Sequence, residues 1–236
     1  MRSPTYSTQG RRRAGAEVCE HDDGDDMITI FGSTGGTGRE LVRLALEQGH
    51  DVTAVARDPD AVEVAHERLV VLRADVLDPG SLPAVMGGAG AVMSALGAAA
   101  GRAPTTVYSA GVANILEAMC GADVRRFIGI SAAPVIPRSE AGVAERLLVF
   151  PLLYRFFGGA YADMWRMEGL LRASQAEWTV LRPPMLTDKP PTGRYRTALN
   201  ENVRGGRRIT RGDLAAAMLE VLDDRSAVRA AVGVAN

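Results

Sequence analysis

The run Met27-Ile-Thr-Ile-Phe31 feeds directly into Gly32-Ser33-Thr34-Gly35-Gly36-Thr37-Gly38. From Arg39 to Gln48, Leu41, Val42, Leu44 and Ala45 then recur at helical spacing until Gly49. An apolar strand, a glycine turn and a helix in that order constrain the fold more than any other part of the chain. Each glycine has a separate duty in such a unit. Gly32 allows the sharp exit from the strand, Gly35 lets the backbone approach a pyrophosphate, and Gly38 lets the helix pack closely on the sheet. The helix N-terminus adds unpaired N–H groups and a partial positive charge. Gly-x-x-Gly-x-x-Gly is a common pattern on its own, and the flanking strand and helix are what separate a phosphate cradle from a mere tight turn.

Further apolar runs follow at Val52 to Ala56, Leu69 to Leu72, Ala91 to Leu96, Phe127 to Ile130 and Trp178 to Leu181, with helical segments between them. Alternation of this kind predicts a parallel sheet, and continuous rather than alternating apolar strands predict one covered on both faces. The clearest intervening helix runs from about Thr105 to Cys120, closed by Gly121. Right-handed crossovers give a doubly wound Rossmann sheet of strand order 3-2-1-4-5-6. With 236 residues, 47% of them hydrophobic, there is enough chain for one large α/β domain over residues 27–236. Segments of about 134–172 and 183–205 fall on the substrate side.

A net charge of −1 implies no general affinity for nucleic acid or membrane. Cys19 and Cys120 match no metal spacing and suit a reduced, cytoplasmic setting as structural thiols. His21, His50 and His66 form no cluster, so no metal is assigned. Residues 1–26 carry Arg11-Arg-Arg13 and an acidic run from Glu20 to Asp26, with almost no aliphatic residues. They are expected to be disordered, to be neither a secretory signal nor a transit peptide, and to be an upstream extension of a chain whose first strand opens at Met27.

Ligands of doubly wound sheets bind beyond the C-terminal strand ends. The residues there are Arg57 after the second strand, Asp75 after the third, Ala95-Leu96-Gly97 after the fourth and Ser131-Ala-Ala133 after the fifth, with Arg182-Pro183-Pro184 closing one wall. NAD-preferring sites place an acid at the end of the second strand, whereas a 2′-phosphate needs a cation. Val52 to Ala56 contains no acid and Arg57 follows at once, which favours NADP(H). The alternative for Arg57 is a surface pair with Asp58 or Asp60. Asp75 suits the adenine amino group or, equally, a cap for the helix after Asp78-Pro79.

These stretches together resemble the atypical short-chain dehydrogenase/reductases, most closely the biliverdin IXβ reductase/flavin reductase branch, over roughly residues 27–225. The resemblance is carried by Ile30 to Gly38, Val55-Ala-Arg-Asp58, Arg73-Ala-Asp-Val76, Pro104-Thr-Thr106, Gly129-Ile-Ser-Ala132, Met167 to Ser174, Trp178 to Pro184 and Thr187 to Tyr195. It implies that Gly32 through Gly38 hold the pyrophosphate, Arg57 the 2′-phosphate and Asp75-Val76 the adenine, with Leu96, Gly97 and Ser131 near the ribose and nicotinamide and Pro183 at the same wall. A second basic residue found in some relatives is Ala61 here. Relatives that reduce carbonyls use Tyr-x-x-x-Lys, whose lysine lowers the tyrosine pKa. Tyr161 takes the tyrosine position and Trp165 the lysine, so Tyr161 has lost its activator and either positions substrate or packs as an ordinary helix tyrosine.

Hydride transfer without that pair suits acceptors that need no strong protein acid, such as flavins and open tetrapyrroles. Ser131 is the best candidate to orient the nicotinamide or hydrogen-bond the acceptor, its alternative being a helix cap. Leu147 to Phe157 is apolar and aromatic, too short and broken for a membrane span, and is expected to be mostly helix packing, with what remains exposed lining an apolar pocket mouth or a subunit contact. The expectation is an NADPH-dependent oxidoreductase with a small-molecule substrate, monomeric or homodimeric. A non-catalytic dinucleotide sensor like the nitrogen-metabolite repression regulators, and a reductase or isomerase of a specialised metabolite, are the alternatives.

Overall fold

The first six strands lie in the order the apolar runs predict, with the glycine turn at their centre. The structure, a computed structural model, describes residues 27–98, 103–136 and 150–236. The expected disorder of residues 1–26 therefore lies outside the described residues, as do Leu147 to Val149. Strands β1 (Met27–Phe31), β2 (Asp51–Ala56), β3 (Leu69–Arg73), β4 (Ala91–Ser94), β5 (Arg126–Ile130) and β6 (Glu177–Arg182) pair in parallel as 3-2-1-4-5-6. Beyond β6, β10 (Ala230–Ala235) adds in parallel and β8 (Arg196–Leu199) closes the edge antiparallel, so the described sheet has eight strands. A separate parallel pair joins β7 (Met185–Thr187) to β9 (Arg208–Thr210).

Register brings the strand ends together. Phe31 pairs with Val55 on one side and Ser94 on the other, Ser94 pairs with Gly129, and Ile130 pairs with Leu181. The residues that follow β1, β2, β4, β5 and β6 therefore emerge along one edge of the sheet.

Helices cover both faces. Leu41, Val42 and Ala45 of α1 (Gly36–Glu47) and Leu214, Ala215 and Met218 of α4 (Arg211–Glu220) pack on Ile28, Ile30 and Ala54. Val112, Ile115 and Met119 of α2 (Ser109–Gly121) and Met164, Met167 and Leu171 of α3 (Phe150–Ala173) pack on Phe31, Val92 and Phe127. Because neighbouring strand residues serve opposite faces, the central strands read as continuous apolar runs. No described helix is long and apolar enough to cross a membrane.

Two boundaries differ from expectation. Helix α2 begins at Ser109 rather than Thr105, because Thr105 Oγ1 accepts from Val107 N in a turn and the buried carboxylate of Asp163 caps the helix from outside. Asp163 Oδ2 accepts from the amides of Tyr108 (2.9 Å) and Ser109 (3.3 Å), and Oδ1 from the Ser109 hydroxyl. At the other end Gly121 is still helical, and Asp123 takes the positive φ of 55°. Cys120 is exposed rather than a packed thiol.

The C-terminus is anchored by another buried acid. Asp213, 1% exposed, accepts from the amides of Thr192 and Gly193 (both 2.9 Å), the Thr192 hydroxyl (2.8 Å) and Asn236 Nδ2 (2.7 Å). Burial pushes its carboxyl up, but the bonds from Asn236, Thr192 and Gly193 outweigh that and hold it below the usual range. A depressed carboxyl stabilises the fold above its unfolded pKa and loses that contribution as the pH falls through its folded one. Asp213→Asn is expected to cost about 1–3 kcal/mol at neutral pH, the scale of hydrogen bonds to a charged group. Denaturant midpoints should show the difference shrinking on acidification below about pH 4, where the unfolded carboxyl protonates.

Candidate functional site

One cleft of about 1330 Å³ runs along the C-terminal strand ends. It exceeds the roughly 300–1,000 Å³ of an ordinary small-molecule pocket, which leaves room for an elongated ligand and a second molecule beside it. Gly32, Thr34, Gly35, Gly36 and Thr37 form its floor. Gly32 has φ +75°, and a Cβ there would lie 2.6 Å from the carbonyl oxygen of Ala95. The turn closes with Gly35 N donating to Gly32 O at 3.0 Å. Gly35 is then the N-cap of α1, and among the described residues no side chain caps the first amides. That uncapped N-terminus is the arrangement a phosphate fits.

Two residues of the glycine segment do not line the cleft. Ser33, 2% exposed, donates its hydroxyl to Val55 O at 2.9 Å and braces the turn against β2. Gly38 lies beneath the turn, where a Cβ would overlap the carbonyl oxygen of Gly32. Both shape the cradle from beneath, Gly38 through the close packing expected of it.

Arg57, Asp75 and Val76 line one end. Arg57 is exposed and makes no ion pair among the described residues, so neither Asp58 nor Asp60 claims it. The capping alternative for Asp75 goes instead to Asp78, whose carboxylate accepts from Gly80 N. Asp75 Oδ1 accepts from Leu77 N at 3.0 Å, and Asn114 Nδ2 donates to Val76 O at 2.8 Å. Together they set the loop after β3.

At the other end Leu96, Gly97, Ser131 and Pro183 meet an apolar wall from α3, made of Phe150, Leu153, Phe157, Tyr161 and Met164. In the described part of this segment, from Phe150 onward, Phe150, Leu153 and Phe157 face the cleft as the pocket-mouth expectation has it, and Leu152, Phe156 and Phe157 are exposed. Tyr161 stacks edge-on with Tyr154 at 5.3 Å. Burial, followed by the neighbouring phenols of Tyr154 and Tyr108, pushes its own phenol up. Trp165 does not line the cleft, is 43% exposed and lies under the Arg172 guanidinium. Among the described residues no cation contributes to the Tyr161 shift or opposes it, so none lowers the phenol toward neutral pH.

Ser131 is not a helix cap. Its Oγ donates to Glu168 Oε1 at 2.7 Å, and Glu168 is gripped by Arg182 through both oxygens, at 3.0 and 2.6 Å. Glu168 and Arg182 are 1% and 3% exposed. This network carried no role in the sequence reading. Its trace in the sequence is an acid on the same helix stripe as Met164, Met167 and Leu171, together with an arginine ending an otherwise apolar strand. Arg211, also unassigned, lines the cleft beside the cradle: a Cβ on Gly36 would lie 2.7 Å from its Cδ, and its Nε donates to Asp188 at 2.6 Å. Among the described residues no group of three His, Cys, Asp or Glu side chains is placed to hold a metal ion.

A family model described as NAD(P)H-binding matches residues 32–225. An uncharacterized chloroplastic protein of Arabidopsis thaliana is 29% identical over 70% of this chain, and the aligned region spans 61% of that protein. An uncharacterized oxidoreductase of Schizosaccharomyces pombe is 41% identical over a shorter match, 22% of this chain and 18% of its own. Uncharacterized protein YwnB of Bacillus subtilis is 26% identical over 83% of this chain and 92% of its own. Among solved structures, a short-chain dehydrogenase/reductase of Veillonella parvula in complex with NADP has a TM-score of 0.73 at 22% identity, covering 89% of this chain and 94% of that one. ChuY, an anaerobilin reductase of Escherichia coli O157:H7, has a TM-score of 0.72 at 23% identity, covering 89% and 96%.

Proposed function

We propose that the chain, which belongs to the NAD(P)H-binding family, is an NADPH-dependent oxidoreductase that reduces a flavin-like or other planar small-molecule acceptor. The observation that carries this reading is the polarity of the cleft: uncapped amides and an Arg57 without an ion pair among the described residues at one end, and an aromatic and apolar wall beside Ser131 at the other. In this reading Gly32 and Thr34 to Thr37 hold the pyrophosphate, and Arg57 takes the 2′-phosphate. Asp75 and Val76 flank the adenine, and Leu96, Gly97, Ser131 and Pro183 surround the ribose and nicotinamide. When bound, the dinucleotide supplies a hydride to the acceptor, and the balancing proton comes from water. Phe157, Tyr161 and Met164 clamp the acceptor and exclude solvent, which provides proximity rather than acid–base chemistry. The fold shared with the NADP complex from Veillonella and with an anaerobilin reductase supports this choice. A cytoplasmic setting and a monomer or homodimer belong to the same proposal.

The test is NADPH oxidation by the purified protein with FMN as acceptor. Turnover above the free-flavin background is expected. Saturable NADPH binding without it would favour the second reading, a dinucleotide sensor, for which the displacement of Trp165 from the cleft is the supporting observation. Arg57→Ala is expected to weaken NADPH by about 1–3 kcal/mol while leaving NADH nearly unchanged, because only the former presents a phosphate to pair. Equal losses in a titration of both cofactors would refute the assignment.

A further inference from the structure

Glu168 is a buried acid that the cofactor contacts above do not use. Its Oε1 accepts from the Ser131 hydroxyl and Arg182 Nε, and its Oε2 accepts from Nη2 of Arg182 and Nη2 of Arg172, both at 2.6 Å. Four donors fill the roughly four lone-pair positions of a carboxylate. The hydrogen of Ser131 Oγ is therefore committed to Glu168. The Ser131 amide is committed as well, donating to Leu181 O at 2.8 Å. Ser131 lines the cleft with acceptor lone pairs, and no hydrogen, still to offer.

We propose that Glu168, held by Arg182 and Arg172, fixes Ser131 as an obligate hydrogen-bond acceptor, so that the site selects a ligand presenting an N–H at that point. This rests on the reading of the cleft as a cofactor and acceptor site. Two sources share the chemistry: the carboxamide of a nicotinamide, and a ring N–H of the acceptor. A ligand offering only a carbonyl there meets lone pair with lone pair, and a buried polar site built for one partner rejects the analogue that lacks it. Glu168 is thus a positioning residue, acting through the polarity of Ser131, and Ser131 is not the donor of the proton that completes the reduction.

The experiment is calorimetric binding to the full chain of two matched pairs. NADP⁺ is compared with its 3-acetylpyridine analogue, in which a methyl replaces the carboxamide NH₂, and FMN with its N3-methyl derivative. At least one pair is expected to show a preference of about tenfold or more for the N–H-bearing member, and which pair does so identifies the source. Ser131→Ala should abolish that preference. Glu168→Gln, whose amide can donate to Ser131 and free the hydroxyl hydrogen, should shift it toward the carbonyl-only ligand, a change that a merely structural role would not produce. If Glu168→Gln does not fold, the Ser131→Ala ratio alone decides. Equal binding within both pairs, or a preference that survives Ser131→Ala, would overturn the proposal while leaving the cofactor reading standing. Failure to bind NADP⁺ at all would overturn that reading and this proposal with it.

Discussion

Replacing Glu168 with alanine is expected to destabilise the fold by about 3–5 kcal/mol, the cost of leaving one partner of a buried ion pair uncompensated. Arg182 is 3% exposed and gives both of its described bonds to Glu168, so its charge would be stranded between α3 and the end of β6. The loss should appear as a lower urea midpoint with an unchanged slope. Two companion variants separate the pair from simple loss of packing. Arg172→Ala removes a partner that is 43% exposed and should cost under about 1 kcal/mol. The double variant Glu168→Ala/Arg182→Met removes both charges and should recover much of the single variant's loss, since an apolar replacement of a buried pair is often close to neutral. A double variant as unstable as the sum of the two single changes would show that the charges are not coupled.

Gly38→Ala is expected to have the second large effect, this time on folding and binding together. The new Cβ would lie 2.7 Å from the carbonyl carbon of Gly32 and 2.9 Å from Ser33 Cα, both of them backbone atoms unable to rotate away. Relief requires α1 to move off the turn. That overpacking should cost about 1–3 kcal/mol of stability. The same movement displaces the uncapped amides from the floor of the cleft, and even about 1.4 kcal/mol of lost contact weakens the cofactor tenfold. Gly121→Ala is the matched control, because nothing lies within 4 Å of its added Cβ and the residue ends a helix. It should be neutral or mildly stabilising, by up to about 1 kcal/mol. Thermal melts and NADPH titrations of the two variants would show whether the contact, rather than loss of glycine as such, is responsible.

The part of the fold legible in the sequence is the part whose signals are local. Buried central strands leave continuous apolar runs, and the glycine turn marks the first crossover, so β1 to β6 and their order could be read directly. Strand β10 could not, because Ala230-Ala-Val-Gly-Val-Ala235 is mostly small residues with weak strand preference, and only the open edge of β6 makes it a strand. Helix α2 begins four residues later than its apolar spacing implies, for a similar reason. Its true start depends on Asp163, 54 and 55 residues away along the chain. That the glycine floor, Arg57 and Ser131 line one cleft is legible because they follow strands whose C-terminal ends meet along one edge. The partners of Ser131 are not legible, since neither Glu168 nor Arg182 reveals its mate until α3 is laid against β6. Arg211 carries no local signal, because its approach to Gly36 depends on the packing of α4 against α1.

The central claim is that this cleft binds a phosphorylated dinucleotide through Arg57 and the uncapped start of α1. Fluorescence titration of the intact chain with NADPH and with NADH tests it most directly. Saturable binding of both is expected, with NADPH tighter by about tenfold or more, the ratio that one charge-assisted phosphate contact of about 1.4 kcal/mol produces. Equal affinities, or no saturation by either cofactor, would contradict the account.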